Sequence, residues 1–137
     1  MRAVMEALRA VLSDVDGLSV SLSPTGTIKP PHAIVGVPTV LDYRKAVAGA
    51  RLDLEVSIIL LTSSAFDETG ALRLAEYSTP TGDRSLFQAI ERNRTLGGVV
   101  EHAQIRDFRP LGADEYGQIG YYGGEFTCSV MVRGDRL

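Results

Sequence analysis

The chain has 137 residues, 45% of them hydrophobic and 23% charged, and a formal net charge of -3. At this length a compact chain buries roughly 68% of the surface it exposes when unfolded, so 1–137 is read as a single domain with its own core, needing neither metal nor disulfide. The acidic balance argues against a protein that grips nucleic acid; Arg84, Arg92, Arg94, Arg106 and Arg109 outnumber Glu91, Glu101 and Asp107 locally, but a solvated mixed-charge surface accounts for that excess as well.

The N-terminal run Met1 to Glu6 carries an early acid and lacks a long apolar stretch, so no secretory leader is expected and folding is expected in a cytoplasm. Val4, Leu8, Val11 and Leu12 recur at helical spacing with Met1 and Met5 beside them, while Arg2, Glu6 and Arg9 fall elsewhere. An amphipathic helix is predicted there, with Gly17 closing the region. Residues 19–23 alternate as a strand does before Pro24-Thr25-Gly26 breaks them. Pro30-Pro31 imposes extended backbone, and Ala33 to Val37 reads as a second strand ended by Pro38. Residues 39–50 are mixed and read as a long hairpin arm or loop.

The clearest strand follows. Leu52, Leu54, Val56, Ile58 and Leu60 share one face, and Asp53, Glu55 and Ser57 the other. That second face turns apolar at Ile59 and Leu61, so something should cover it: a helix of the same chain first, a neighbouring subunit otherwise. The run Ile58 to Leu61 is too short to span a bilayer. Ser64-Ala65-Phe66-Asp67 fits a capping box ahead of a helix carrying Ala71, Leu72, Leu74 and Ala75. After the turn-rich Tyr77 to Gly82, Asp83 can cap a second helix with Leu86, Phe87 and Ile90 as its stripe, stopped by Gly97-Gly98. Val99 to Phe108 reads as a strand. Tyr116 to Tyr122 and Glu125 to Val132 read as a hairpin turning at Gly123-Gly124, with Phe126, Cys128, Val130 and Val132 on one face. The order predicts an α+β fold: a mostly antiparallel sheet flanked by an N-terminal helix and two mid-chain helices.

Residues suited to chemistry are scattered. His32 and His102 fall in different predicted strands, and neither has a second ligand at metal spacing. Cys128, the only cysteine, excludes an intramolecular disulfide and sits on an apolar strand face, which suits a buried structural thiol. A Cys128–His102 nucleophilic pair is the competing reading. Gly117, Gly120, Gly123 and Gly124 do not open a helix after a strand, so they form neither a phosphate loop nor a dinucleotide fingerprint. Asp14 with Asp16, and Asp114 with Glu115, could hold a cation, but spacing places no third oxygen ligand. Tyr116, Tyr121 and Tyr122 could stack on bases or pack a sheet edge. No catalytic residue, cofactor or metal is expected.

Several stretches in order carry a resemblance. They are the Leu-Arg-Ala-Val-Leu type helix, Pro30 to Pro38, the strand Leu52 to Leu61 with its helix, Tyr77-Ser78-Thr79-Pro80-Thr81-Gly82-Asp83-Arg84-Ser85-Leu86, Thr95 to Gly98, and Gly120 to Val130. Over nearly its whole length the chain resembles the tail terminator proteins of long-tailed phages that infect actinobacteria. Arg84 is more polar than that family leads one to expect. The resemblance implies a non-enzymatic virion protein of the neck, made in the host cytoplasm and forming a ring with itself, usually a hexamer. Its other partners would be the tail-tube protein below and the head completion or connector proteins above. DNA would pass through the lumen without sequence-specific binding, and no membrane is involved. Another neck component, a tube subunit, or more distantly a small enzyme or ligand-binding module are the alternatives. The arm from Thr39 to Arg51 is too long for a tight turn, and its charges suit register across a subunit or tube contact; the alternative is an exposed loop without a partner. Asp42, Arg44, Lys45 and Arg51, with Ile59 and Leu61, are therefore the expected interface residues.

Overall fold

The computed structural model describes residues 1–23, 29–44, 51–63, 67–111 and 122–133. Its elements are α1 (Arg2–Leu12), β1 (Ser19–Ser21), β2 (His32–Val35), β3 (Thr39–Val40), β4 (Arg51–Ser63), α2 (Glu68–Ser78), α3 (Leu86–Glu91), β5 (His102–Leu111) and β6 (Tyr122–Arg133). The class is α+β: among the described residues, one mixed six-stranded sheet in the order β1-β2-β4-β6-β5, with β3 also paired to β4. β1 runs parallel to β2, and every other pairing is antiparallel. The centre is the long ladder between β4 and β6, in register from Arg51 opposite Arg133 to Leu61 opposite Gly123.

The two faces of the sheet differ. The even-numbered side of β4, from Leu52 to Leu60, joins Phe126, Cys128, Val130, Val132, Ala103 and Ile105 in one hydrophobic cluster. α1 buries Val4, Leu8 and Leu12 in it and α3 Leu86 and Ile90, whereas α2 turns in Leu74 and Tyr77 and leaves Leu72 and Ala75 of its expected stripe exposed. None of α1, α2 and α3 packs on the opposite face. A covering helix from the chain was the first expectation for that side at Ile59 and Leu61, and the three helices do not supply it. Leu61, Ile34 and Leu111 are nonetheless buried, outside the main cluster.

Local chemistry explains the helix starts. The carboxylate of Asp67 accepts from the Gly70 amide at 2.7 Å, so α2 is capped by Asp67 itself; the Ser64 to Phe66 part of the expected capping box lies outside the described residues. Ser85, not Asp83, caps α3, its hydroxyl accepting from the Gln88 amide at 3.0 Å. β5 begins at His102 rather than Val99, because Leu96, Gly97 and Gly98 all take positive φ and spend those residues on a turn.

Gly123-Gly124 is not a hairpin turn. Both glycines sit inside β6, opposite Leu61 and Leu60 on one side and Leu111 and Pro110 on the other. A Cβ on Gly123 would collide with the Leu60 carbonyl oxygen, and one on Gly124 with the ring of Phe108. The pair is there for close approach, not for positive φ. Residues 116–121 of the expected hairpin lie outside the described residues.

Candidate functional site

The segment leaving β2 builds the most exposed apolar feature of the described surface. Gly36 donates to the Ser57 carbonyl at 2.8 Å, β3 pairs Thr39 with Glu55 and Val40 with Leu54, and Leu41 donates to the Asp53 carbonyl at 3.1 Å. Between these anchor points the chain bows out at Val37-Pro38. Val37 is left 74% exposed, Leu41 56% and Tyr43 71%; the only other large apolar side chain so exposed among the described residues is Leu72. Asp42 accepts from the Arg44 amide at 3.0 Å, which fixes the backbone between them.

Beside this arm lies the face of the sheet that carries no described helix. A cleft of about 570 Å³ opens there, lined by Leu41, Asp53, Leu54, His102, Gln104, Arg106, Ser129, Val130 and Met131. Arg106 falls at the irregularity between Ile105 and Asp107 of β5, is exposed, and has no ion pair among the described residues. Further along this face, Ser57 donates to Glu125 at 2.5 Å and Arg109 donates to the other carboxylate oxygen at 3.1 Å. The Ser57 hydrogen bond, more than Arg109, holds the Glu125 carboxyl below its ordinary value despite partial burial.

The expected interface residues are not all brought together. Asp42 and Arg44 share the arm and are exposed, and Arg51 stands at the start of β4, where it donates to the Met131 sulfur at 3.3 Å. Lys45 lies outside the described residues. Ile59 is half-buried, but Leu61, at 1% exposure, is sealed within the subunit and offers no surface to a partner. Reading the sequence missed Val37, Tyr43, Arg106 and Met131. A signal for the first two was present: large apolar side chains in a stretch that otherwise turns and carries charge.

Groups suited to catalysis are kept apart. Cys128 points into the core, and burial pushes its thiol up to about 12, partly offset by a backbone hydrogen bond from Gln104. His102 lies on the cleft side of the sheet, so the Cys128–His102 pair is not assembled. His32 is buried against β1, its Nε2 2.8 Å from the Ser21 hydroxyl, and burial lowers its pKa. Asp16 is engaged by Arg84 at 3.4 Å, while Arg84 also donates to Glu76 at 2.8 Å and the Tyr77 hydroxyl donates to the Asp16 carbonyl at 3.1 Å. The unexpected polarity of Arg84 thus ties the end of the α1 loop to α2. Among the described residues no three His, Cys, Asp or Glu side chains gather as metal ligands, and no helix is long and apolar enough to cross a membrane. Asp114, Glu115, Tyr116 and Tyr121 lie outside the described residues, and Tyr122 packs against the core. Compared with known protein families and with curated protein sequences, the chain matches none.

Proposed function

We propose that the chain is a structural assembly protein, a tail terminator of a long-tailed phage. It closes into a ring, most simply a hexamer, on the last ring of the tail tube, stops tube growth, and offers its other end to the head completion proteins. One observation carries the reading on the structural side. Three of the four most exposed large apolar side chains among the described residues fall within one seven-residue arm, next to a polar sheet face that α1, α2 and α3 leave uncovered. Scattered apolar side chains need no explanation, whereas a concentration beside charged groups suits a protein contact. Rings arise from heterologous contacts whose rotation closes, so each subunit needs two different side surfaces and no reaction. The order of motifs along the chain supplies the phage assignment.

The test is a phage with an early stop codon in this reading frame, examined by electron microscopy of lysates. The expected outcome is filled heads without tails, together with free tails of abnormal length. Free tails of uniform, normal length would overturn the terminator reading in favour of a connector or stopper.

A further inference from the structure

The two features of the candidate site fit each other between copies of the chain. Tyr43 stands two residues beyond Leu41, which lines the cleft, yet Tyr43 itself does not line it and remains largely exposed. It is an aromatic side chain with an apolar body, a polar tip and few rotamers to lose, the kind of group that anchors protein contacts when it finds a pocket. The cleft offers what such an anchor needs. Leu41 and Met131 give it apolar side chains over a floor of β4 and β6 backbone at Leu54 and Val130, whose own side chains point into the core, and the Met131 thioether suits the edge of an aromatic ring. Gln104 and Ser129 can meet a phenol hydroxyl. Charge agrees as well: Asp42 precedes Tyr43, and Arg106 on the cleft rim lacks an ion pair among the described residues.

We infer that the cleft beside β5 is the docking site for a second copy of this chain, which seats Tyr43 in it and brings Asp42 to Arg106. This rests on the self-association part of the proposed function and names the surface that performs it. Knob and hole are different surfaces carried by every copy, so the contact is heterologous and can propagate from one subunit to the next until a ring closes.

Disulfide trapping tests it, because the only native cysteine is buried and its thiol stays protonated. The variant Tyr43→Cys/Gln104→Cys, concentrated and mildly oxidised, should run as a ladder of covalent multimers under non-reducing conditions, and each single variant, with no cysteine opposite its own, should stay monomeric. Asp42→Arg should weaken self-association about tenfold, and Asp42→Arg/Arg106→Asp should restore it. Oligomers of normal mass without the ladder would overturn this contact and leave the terminator reading standing. A protein that stays monomeric when concentrated and gives no ladder refutes a second copy as the occupant. A product that stops at doubly linked dimers would show reciprocal exchange and refute propagation around a ring. A full ladder from a protein absent from the virion neck would keep the contact and sink the phage reading.

Discussion

Replacing Gly124 by alanine tests whether the glycine pair is needed for packing or for turning. The new methyl would press on the Phe108 ring, 2.5 Å from its Cζ, with the Arg109 carbonyl oxygen 3.2 Å away. Phe108 cannot retreat freely, since its ring sits 4.7 Å from that of the buried Phe126. Overpacking of this kind costs about 1–3 kcal/mol, offset by about 0.5–1 kcal/mol because alanine loses less backbone freedom than glycine on folding. A net loss of about 1–2 kcal/mol is expected, or a drop of roughly 3–8 °C in Tm for a domain of this size. Gly123→Ala should be worse, because its methyl meets the Leu60 backbone carbonyl, which can move only by parting β4 from β6. Urea unfolding followed by circular dichroism measures both. Phe108→Leu removes the obstructing ring atoms, so Gly124→Ala/Phe108→Leu should be more stable than the two single losses added together predict, by about 1 kcal/mol. A Gly124→Ala protein as stable as the parent, or strict additivity with Phe108→Leu, would refute the packing argument.

Two further outcomes follow from the titratable groups. Cys128 should resist thiol reagents in the native protein at pH 8 and react on unfolding, because its thiol is pushed up to about 12 by burial; labelling of the folded protein at the rate of a free thiol would contradict its place in the core. Glu125 is held below its ordinary 4.5 and His32 below its ordinary 6.5, so in both cases the unfolded chain binds the extra proton first. Stability should therefore fall with acidification in two stages, the first as pH drops below 6.5 through the lowered His32 value, the second below 4.5 through that of Glu125. Ser57→Ala should weaken the second stage and leave the first, as read from Tm against pH; an unchanged acid limb in that variant would show that the Ser57 hydrogen bond does not set it.

The elements legible in the sequence were those whose own side chains repeat. α1 buries Val4, Leu8 and Leu12 as its spacing required, and β4 alternates from Arg51 to Leu60 before Leu60, Leu61 and Thr62 are all buried. The glycine pair was misread because glycine serves two ends, positive φ and the absence of a Cβ, and only neighbours on other strands decide which; here they are the Leu60 carbonyl for Gly123 and the Phe108 ring for Gly124. Parallel pairing of β1 with β2 leaves no local mark, since it depends on how residues outside both strands return the chain. Asp83 and Ser85 are both good caps, and the choice turned on Ser85 holding the Gln88 amide. Of the candidate site, the charges of the arm were visible and the cleft was not. Its lining is drawn from β4, β5 and β6 together with Leu41, and no local window contains them.

The ladder at the centre of the sheet also bears on how the chain is made. Ser57 and Glu125, joined across it, are 68 residues apart in sequence. On the ribosome β4 can pair early with β2 and β3, which precede it, but the other side of this 13-residue strand has no partner until β6 emerges. At typical elongation rates that interval is roughly 3–14 s. β5 waits with it, because its sheet neighbour is β6 as well. The nascent chain therefore carries an open, largely apolar strand edge for seconds, and closing a loop of this length makes the final step slow. Anything that shields β4 until its last partner arrives should therefore raise the yield of folded chain.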